Sequence, residues 1–266
     1  MTLHSALAPA LQRTHGTAEV VLAAGRVRRL LQRGSAKAIA LHEGPGTPPE
    51  VVFLNTAGGL TGGDRMAYAL RTDADTVATT QTAERAYRAP EGQARMDVAL
   101  TVTGGRLDWL PQETILFDQS ALSRRTRIAL APGAGCLSLE AVVLGRAAMG
   151  ETVRSLCFED RREILRAGAP VLLEPLRLTG DALSHPALIA GARAFASLAL
   201  VMQGAEDAVA RARAVLDEPG VGGAASGFDG KLTVRLMAGD GWPLRRQIAR
   251  LLAALRNRPL PRVWQI

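Results

Sequence analysis

Turns built from small residues recur at Asp73–Asp75, Gly104-Gly105, Pro132–Gly135 and Ala167–Pro170. They lie about 30 residues apart, an interval at which one supersecondary unit repeats. Each feeds a strand-like apolar segment: Thr76–Thr82, Leu107–Leu110, Cys136–Leu144 and Val171–Leu178. The recurrence narrows the fold to stacked, β-helix-like layers or to an ordinary run of hairpins, and both place strands at the same residues. Met96, Val98, Leu100 and Val102 alternate with more polar neighbours, the period of a half-buried strand, and Thr126, Ile128 and Leu130 repeat it. Cys136–Leu144 is almost continuously apolar and reads as a strand covered on both faces. His42–Glu50, with its prolines and glycines, is a loop.

Past residue 180 the texture changes. Ala205–Leu216 places Val209, Ala212 and Leu216 on one helical face. Pro243 suits a first helical turn, and Leu244, Ile248, Leu251, Leu252 and Leu255 follow at helical spacing until Pro259 and Pro261. Lys231–Met237 reads as a strand. The expected fold is therefore mainly β. It has a large stacked, β-helix-like antiparallel section over 1–180 and a smaller α+β section with two helices over 181–266, the two forming one continuous domain. A hydrophobic content of 47% in 266 residues suffices for a full core. The longest apolar stretch, 187–202, is broken by Arg193 and too short to span a bilayer. Met1–His15 has no basic residue ahead of its apolar patch, which argues against a signal peptide. Cys136 and Cys157 lack a CxxC pattern and read as reduced core thiols of a cytoplasmic protein.

The net charge is +7, and only Lys37 and Lys231 among the bases are lysines. Arginines cluster at Arg26, Arg28, Arg29 and Arg33 and again from Arg245 to Arg262, with no acid after Asp240. Nucleic acid is disfavoured: aromatics are 4% of the chain, and no helix-turn-helix, zinc-finger or RNP pattern occurs. Guanidinium forks suit carboxylate-rich protein surfaces or a solvated face.

Leu54–Asp64, L-N-T-A-G-G-L-T-G-G-D, carries two Gly-Gly pairs between strand-like segments. Gly58 and Gly63 have the spacing of a Walker loop, but Asp64 stands where the lysine should be and would repel a phosphate. A strand-like segment, not a helix, follows, so the dinucleotide fingerprint fails as well. Nucleotide or nucleic-acid binding through this loop is the alternative function. G-x-S-x-G and H-E-x-x-H are absent, and the four histidines are scattered. Clustered imidazole or thiolate ligands for zinc or nickel are absent too. The chemically suggestive residues are acids set in apolar strands: Asp64, Asp108, Glu113, Asp118, Glu140 and Glu174. Such acids need an arginine partner, hydrogen bonds, water or a cation. Asp64 is read either as a turn acceptor or as a step on a metal path.

Five ordered segments carry a family resemblance: N-T-A-G-G-L-T-G-G-D at 55–64, T-T-Q-T-A-E-R-A-Y-R at 79–88, D-W-L-P-Q-E-T-I-L-F-D at 108–118, L-G-R-A-A-M-G-E at 144–151 and L-P-R-V-W at 260–264. Together the chain resembles the UreD (UreH) urease accessory proteins. It departs from them at 28–38, where R-R-L-L-Q-R-G-S-A-K-A replaces an aromatic-proline segment, and it matches only in outline after 180. The resemblance implies a non-enzymatic, mostly β protein with two helices. Its implied partners are UreF, the GTPase UreG through UreF, and apo-urease, with a 2:2 assembly with UreF among the expected arrangements. No membrane or nucleic-acid partner is implied. The implied task is assembly of the carbamylated dinuclear nickel site of urease. No cofactor is permanently bound, and nickel passes transiently along an internal route. By motif, Asp64, Glu140 and Glu174 fall on acidic or polar positions of that route, and weak carboxylate ligation suits transfer more than storage.

Overall fold

The computed structural model describes residues 12–42, 44, 46–185, 187–189, 191–256 and 258–265. His4 and most of the segment read for a signal peptide lie outside the described residues. In chain order the described residues form β1 (His15–Ala23), β2 (Arg26–Gly34), β3 (Ala36–Leu41), β4 (Glu50–Asn55) and β5 (Arg65–Thr72). Next come β6 (Thr76–Gln81), β7 (Glu84–Ala86), β8 (Ala94–Val102), β9 (Arg106–Leu110), β10 (Thr114–Leu116), β11 (Ser120–Leu130) and β12 (Gly135–Leu144). The rest are β13 (Leu156–Arg166), β14 (Ala169–Thr179), α1 (Gly180–Ser184), β15 (Ala194–Val201), α2 (Val209–Arg213), β16 (Val221–Phe228), β17 (Lys231–Ala238) and α3 (Gly241–Leu255).

The chain coils between two sheets. One has the order β14-β13-β11-β8-β5-β1-β2, and the other runs β16-β17-β15-β12-β9-β6-β4-β3, with β10 and β7 attached through β12. This is the stacked, mainly β arrangement expected from the turns. The first three turns each carry the chain from one sheet to the other and lie on one another: Thr103 N donates to Thr72 O (2.8 Å), Ala131 N to Val102 O (2.9 Å) and Gly135 N to Gly105 O (3.0 Å). Because successive layers repeat the same path, the central neighbours β1-β5-β8-β11-β13 and β4-β6-β9-β12 run parallel. The expected antiparallel pairing is confined to the flanks, at β1-β2, β13-β14, β3-β4 and β12-β15-β17-β16. The fourth turn, at 167–170, is the hairpin between β13 and β14 and ends the coil.

Three layers result. One core fills the space between the sheets, around Phe53, Tyr68, Leu100 and Trp109. A second lies on the far side of the larger sheet, where α3 buries Leu244, Ile248, Leu251, Leu252 and Leu255 against Leu137, Leu139, Leu198 and Leu236. β12 therefore faces a core on each side, which explains its unbroken apolar sequence. Asp240 starts α3, its side chain accepting from Trp242 N at 2.8 Å. The helix expected over 205–216 is a 3-10 turn at Ala205–Ala208 running into the short α2, and α1 is a single-turn helix not anticipated. Both cysteines are free; Cys136 is buried and Cys157 half-buried. No helix among the described residues is long and apolar enough to cross a membrane.

The Gly-Gly stretch lies on the following layer. Leu60 N donates to Arg85 O (2.7 Å), Tyr87 N to Leu60 O (2.8 Å) and Gly63 N to Gln93 O (3.2 Å). A Cβ at Gly62 would stand 1.9 Å from the Glu91 carbonyl oxygen, so backbone occupies the place of a side chain. Gly58 is different: its φ is +81° but the space around it is open. Gly62→Ala is expected to cost about 2–4 kcal/mol by displacing the neighbouring layer. Gly58→Ala should cost about 1–2 kcal/mol, from backbone strain alone. Urea denaturation of the two variants checks the ordering, and equal losses would remove the close-approach account.

Candidate functional site

The in-register stacking writes the site as columns. In the smaller sheet Met66, Met96, Arg124 and Asp160 succeed one another across neighbouring strands, and beside them run Tyr68, Val98, Thr126, Arg162 and Glu174. Both columns begin apolar and turn polar at β11. Across the interior, β12 splits its side chains between two faces. Leu137, Leu139 and Ala141 join the helix-side core, while Cys136 and Val142 join the core between the sheets, on the face that also carries Ser138 and Glu140. Glu140 lies beside Ser197 and then Arg235 in the register of its own sheet. Polar side chains of both sheets thus converge over the last layers.

Arg124 is the hub and is buried. Its Nε and Nη2 grip Asp160 Oδ1 (3.0 Å) and Oδ2 (2.6 Å) in a two-pronged pair. Its Nη1 reaches Glu140 Oε2 (2.9 Å) and Thr114 Oγ1 (2.9 Å). Thr126 Oγ1 donates to Glu140 Oε1 at 3.0 Å. Burial works against the Arg124 charge, but Asp160 and Glu140 together outweigh it and hold the guanidinium protonated. Burial pushes the Glu140 carboxyl up, opposed by Arg124.

Glu174 faces Arg162 directly across β13 and β14. Arg162 is buried, pairs with Glu174 and donates to Ser138 O and Ser197 O, both at 3.2 Å. Ser197 Oγ and Arg235 Nη2 (3.3 Å) also hold Glu174. Burial pushes the Glu174 carboxyl up, yet Arg162, Ser197 and Arg235 outweigh it and keep it below the usual range.

Two cavities meet at this network. One, of about 40 Å³, runs between the sheets past Asn55, Tyr68, Thr80, Glu84 and Trp109 to Arg124 and Glu140. The other, of about 380 Å³, starts at the same Arg124 and Glu140 and continues past Asp160, Arg162 and Glu174 to Arg235. The Arg124–Glu140 pair is thus common to the lining of a narrow cavity and of this larger one. Glu140 and Glu174 are brought together on it, and Asp64 is not. Asp64 accepts from Thr14 N (2.7 Å) and Thr61 N (2.8 Å), closing the end of the Gly-Gly stretch and pinning the start of β1. The other acids are also held. Asp108 lies between Arg106 (2.8 Å) and Arg256 (2.6 Å), Glu113 pairs with Arg245 (3.2 Å), and Asp118 accepts from Arg154 N (2.8 Å) and Ser155 N (3.0 Å). Among the described residues no three or more His, Cys, Asp or Glu side chains are grouped to hold a metal ion.

Glu84 is the passage residue that sequence reasoning missed. Its neighbour Arg85 suggests an exposed pair, but Arg85 Nη1 turns to the Gly58 carbonyl (3.4 Å). Glu84 is left with the neutral Asn55 amide (3.1 and 3.3 Å) and Arg85 N (3.2 Å). Burial pushes its carboxyl from 4.5 up to about 7, and those hydrogen bonds offset only part of the effect. The folded value lies above the unfolded one, so the unfolded chain loses this proton first as pH rises. The stability carried by neutral Glu84 is then complete below about pH 4.5 and lost as pH passes through about 7. Glu84→Gln should remove that decline and leave the variant about 1–2 kcal/mol more stable than the wild-type chain at alkaline pH. Urea denaturation of both chains on either side of this window checks it; parallel pH profiles would contradict it.

Residues 15–265 match the family model described as UreD urease accessory protein. The chain is 62% identical over 265 residues to a urease accessory protein UreD of Cereibacter sphaeroides, covering 96% of each chain. It is 54% identical over 273 residues to the protein of that name from Paracoccus denitrificans, covering 99% of this chain and 97% of the relative. With the Rhizobium leguminosarum bv. trifolii protein identity is 43% over 261 residues, covering 96% and 94%. Agreement over this length, on a fold whose layers carry the motif segments, leaves one conclusion: the chain belongs to the UreD family of urease accessory proteins.

Proposed function

We propose that this protein is a non-enzymatic cytoplasmic scaffold that joins UreF, and UreG through UreF, to apo-urease, and that it assists delivery of nickel to the urease metallocentre. The observation that supports delivery, over scaffolding alone, is the shared lining: Glu140 borders both cavities, and Asp160 and Glu174 border the larger one beside it. Carboxylate oxygens hold a divalent nickel ion weakly, as cargo in transit requires. At rest each carboxylate has a guanidinium partner, so the ion must take the place of an arginine as counter-charge. Asp64, the remaining acid of the family pattern, serves this route by anchoring the loop at one end.

The alternative of nucleotide binding at the Gly-Gly loop is opposed by Asp64, whose carboxylate is spent on two backbone amides. Titration of GTP and magnesium into the isolated chain should give no heat.

Glu140→Gln and Glu174→Gln keep side-chain shape, remove one charge each and turn one of the two acceptor oxygens into a donor. Co-expressed with the other accessory proteins and apo-urease, both variants should still co-purify with UreF but yield urease with severalfold less nickel, read by metal analysis. Urease nickel unchanged in both variants would end the delivery role. Loss of the UreF complex would mean that the acids are structural ion-pair partners.

A further inference from the structure

The carboxylates that line the two cavities divide by their counter-charge. Glu140 and Asp160 share Arg124 (2.9 and 2.6 Å), and Glu174 has Arg162 and Arg235 (3.3 Å). Glu84 pairs with no guanidinium among the described residues. The Arg85 side chain beside it donates to the Gly58 carbonyl (3.4 Å), and its charge is the smallest influence on the Glu84 carboxyl. Glu84 is held instead by the Asn55 amide (3.1 and 3.3 Å) and Arg85 N (3.2 Å).

Its place is as distinctive as its partners. The narrow cavity is lined by Gly58 and Thr82, which are exposed, and by Arg124 and Glu140, which are buried. Glu84 belongs with the exposed group: Thr82 stands two residues before it, and its partner Asn55 three residues before Gly58. Thr80 and Gln81 line the cavity beside them, so this end is built from oxygen-bearing side chains. The other charged and titratable groups around Glu84 leave it uncompensated. Tyr68 of β5 stays protonated, its hydroxyl pushed up by burial first and by Glu84 second. Glu113, whose carbonyl accepts from Glu84 N (3.0 Å), spends its carboxylate on Arg245 (3.2 Å). Arg124 is taken by Glu140 and Asp160.

Resting on the delivery reading above, we infer that Glu84 is the residue at which a nickel ion enters the narrow cavity, exchanging with the carboxyl proton and not with an arginine. The step balances without electron transfer. The O–H bond of the carboxyl breaks, the proton passes to a base of the surrounding buffer, and the freed oxygen takes the Ni2+ ion. An acid that is neutral at rest releases its proton on ligating a metal. Burial supplies the neutral form by pushing the carboxyl up to about 7. The Asn55 amide remains on the second oxygen and keeps the side chain in place. At Glu140 and Glu174 the ion must instead part a buried ion pair, which is the harder step.

The test titrates nickel sulfate into the full chain and into E84Q by calorimetry, at about pH 6 and about pH 8.5, in buffers of differing ionisation enthalpy. Subtracting one chain from the other removes nickel held by surface histidines. Wild type should bind about one nickel more than E84Q at both pH values. It should release about one proton more at the lower pH and roughly none more at the higher. The amide replaces a neutral acid, so circular dichroism should show an unchanged fold. Equal nickel and proton counts in the two chains overturn the site, as does a lost nickel with an unchanged proton count. Co-expression separates the site from the reading beneath it: urease made with E84Q should hold severalfold less nickel. Normal urease nickel with E84Q alone overturns entry at Glu84 and leaves delivery standing. Normal nickel with E84Q, E140Q and E174Q alike ends the delivery role.

Discussion

The structure depends on parallel layers lying in register across two sheets. Neighbouring strands are spaced by their hydrogen bonds at about 4.8 Å, so whatever stands at one position in a layer meets its counterpart in the next. The turns obey the same spacing, each donating to the carbonyl of the turn before, and Arg106 N finds Asp75 Oδ1 at 2.9 Å across them. Nothing bulky fits between layers where backbone already touches backbone, and Gly59 and Gly62 of the 54–64 stretch answer that demand. The same spacing turns single polar residues into a polar column once a few successive layers carry them. The interior network is therefore a product of register, not of any one strand.

This explains what the sequence disclosed and what it withheld. Strand positions were legible because alternation at 94–102 and 120–130 reflects one buried face, and β12 because both its faces are covered. Strand direction was not legible: a turn of three or four small residues serves a hairpin as well as a crossing between sheets. The helix at 205–216 failed in part because Gly204 enters it with φ +70° and the first turn tightens to 3-10 geometry. Glu140 and Glu174 stood out as acids in apolar runs, and they share a cavity. Asp64 stood out for the same reason but lies where two amide donors need an acceptor. Glu84 stayed hidden, because its burial comes from a strand of three residues whose neighbours are distant in sequence.

Charge tells a parallel story. With thirty-two bases against twenty-five acids, a reader of the chain alone sees two arginine clusters, one of four and one of six. The fold uses one of them as internal fastening. Arg256 on Asp108 and Arg245 on Glu113 tie the C-terminal helix region to β9 and the segment before β10, stitching the helical layer to the strands beneath. Such pairs are costly to break from one side, since the partner is left charged and unsolvated. Of the other cluster only Arg29 meets a carboxylate among the described residues, Glu19 at 3.7 Å, and composition could not have told the two apart.

Within the passage the carboxylates are not equally held, and that bears on which could yield to an incoming cation. Asp160 occupies two arms of Arg124. Glu174 is fixed by Arg162, which is itself anchored on two carbonyls, and by Ser197. Glu140 has one shared arm of Arg124 and one hydroxyl. If Glu140 turns away, Arg124 keeps its Asp160 pair and its bond to Thr114, so no buried charge is left bare. Removing Asp160 empties two arms of Arg124 and leaves it the one carboxylate contact to Glu140, and removing Glu174 strands the buried Arg162, a loss on the order of 3–5 kcal/mol. Burial also pushes the Glu140 carboxyl up, working against its charge. Glu140, the carboxylate common to both cavities, is thus also the one whose release costs the fold least.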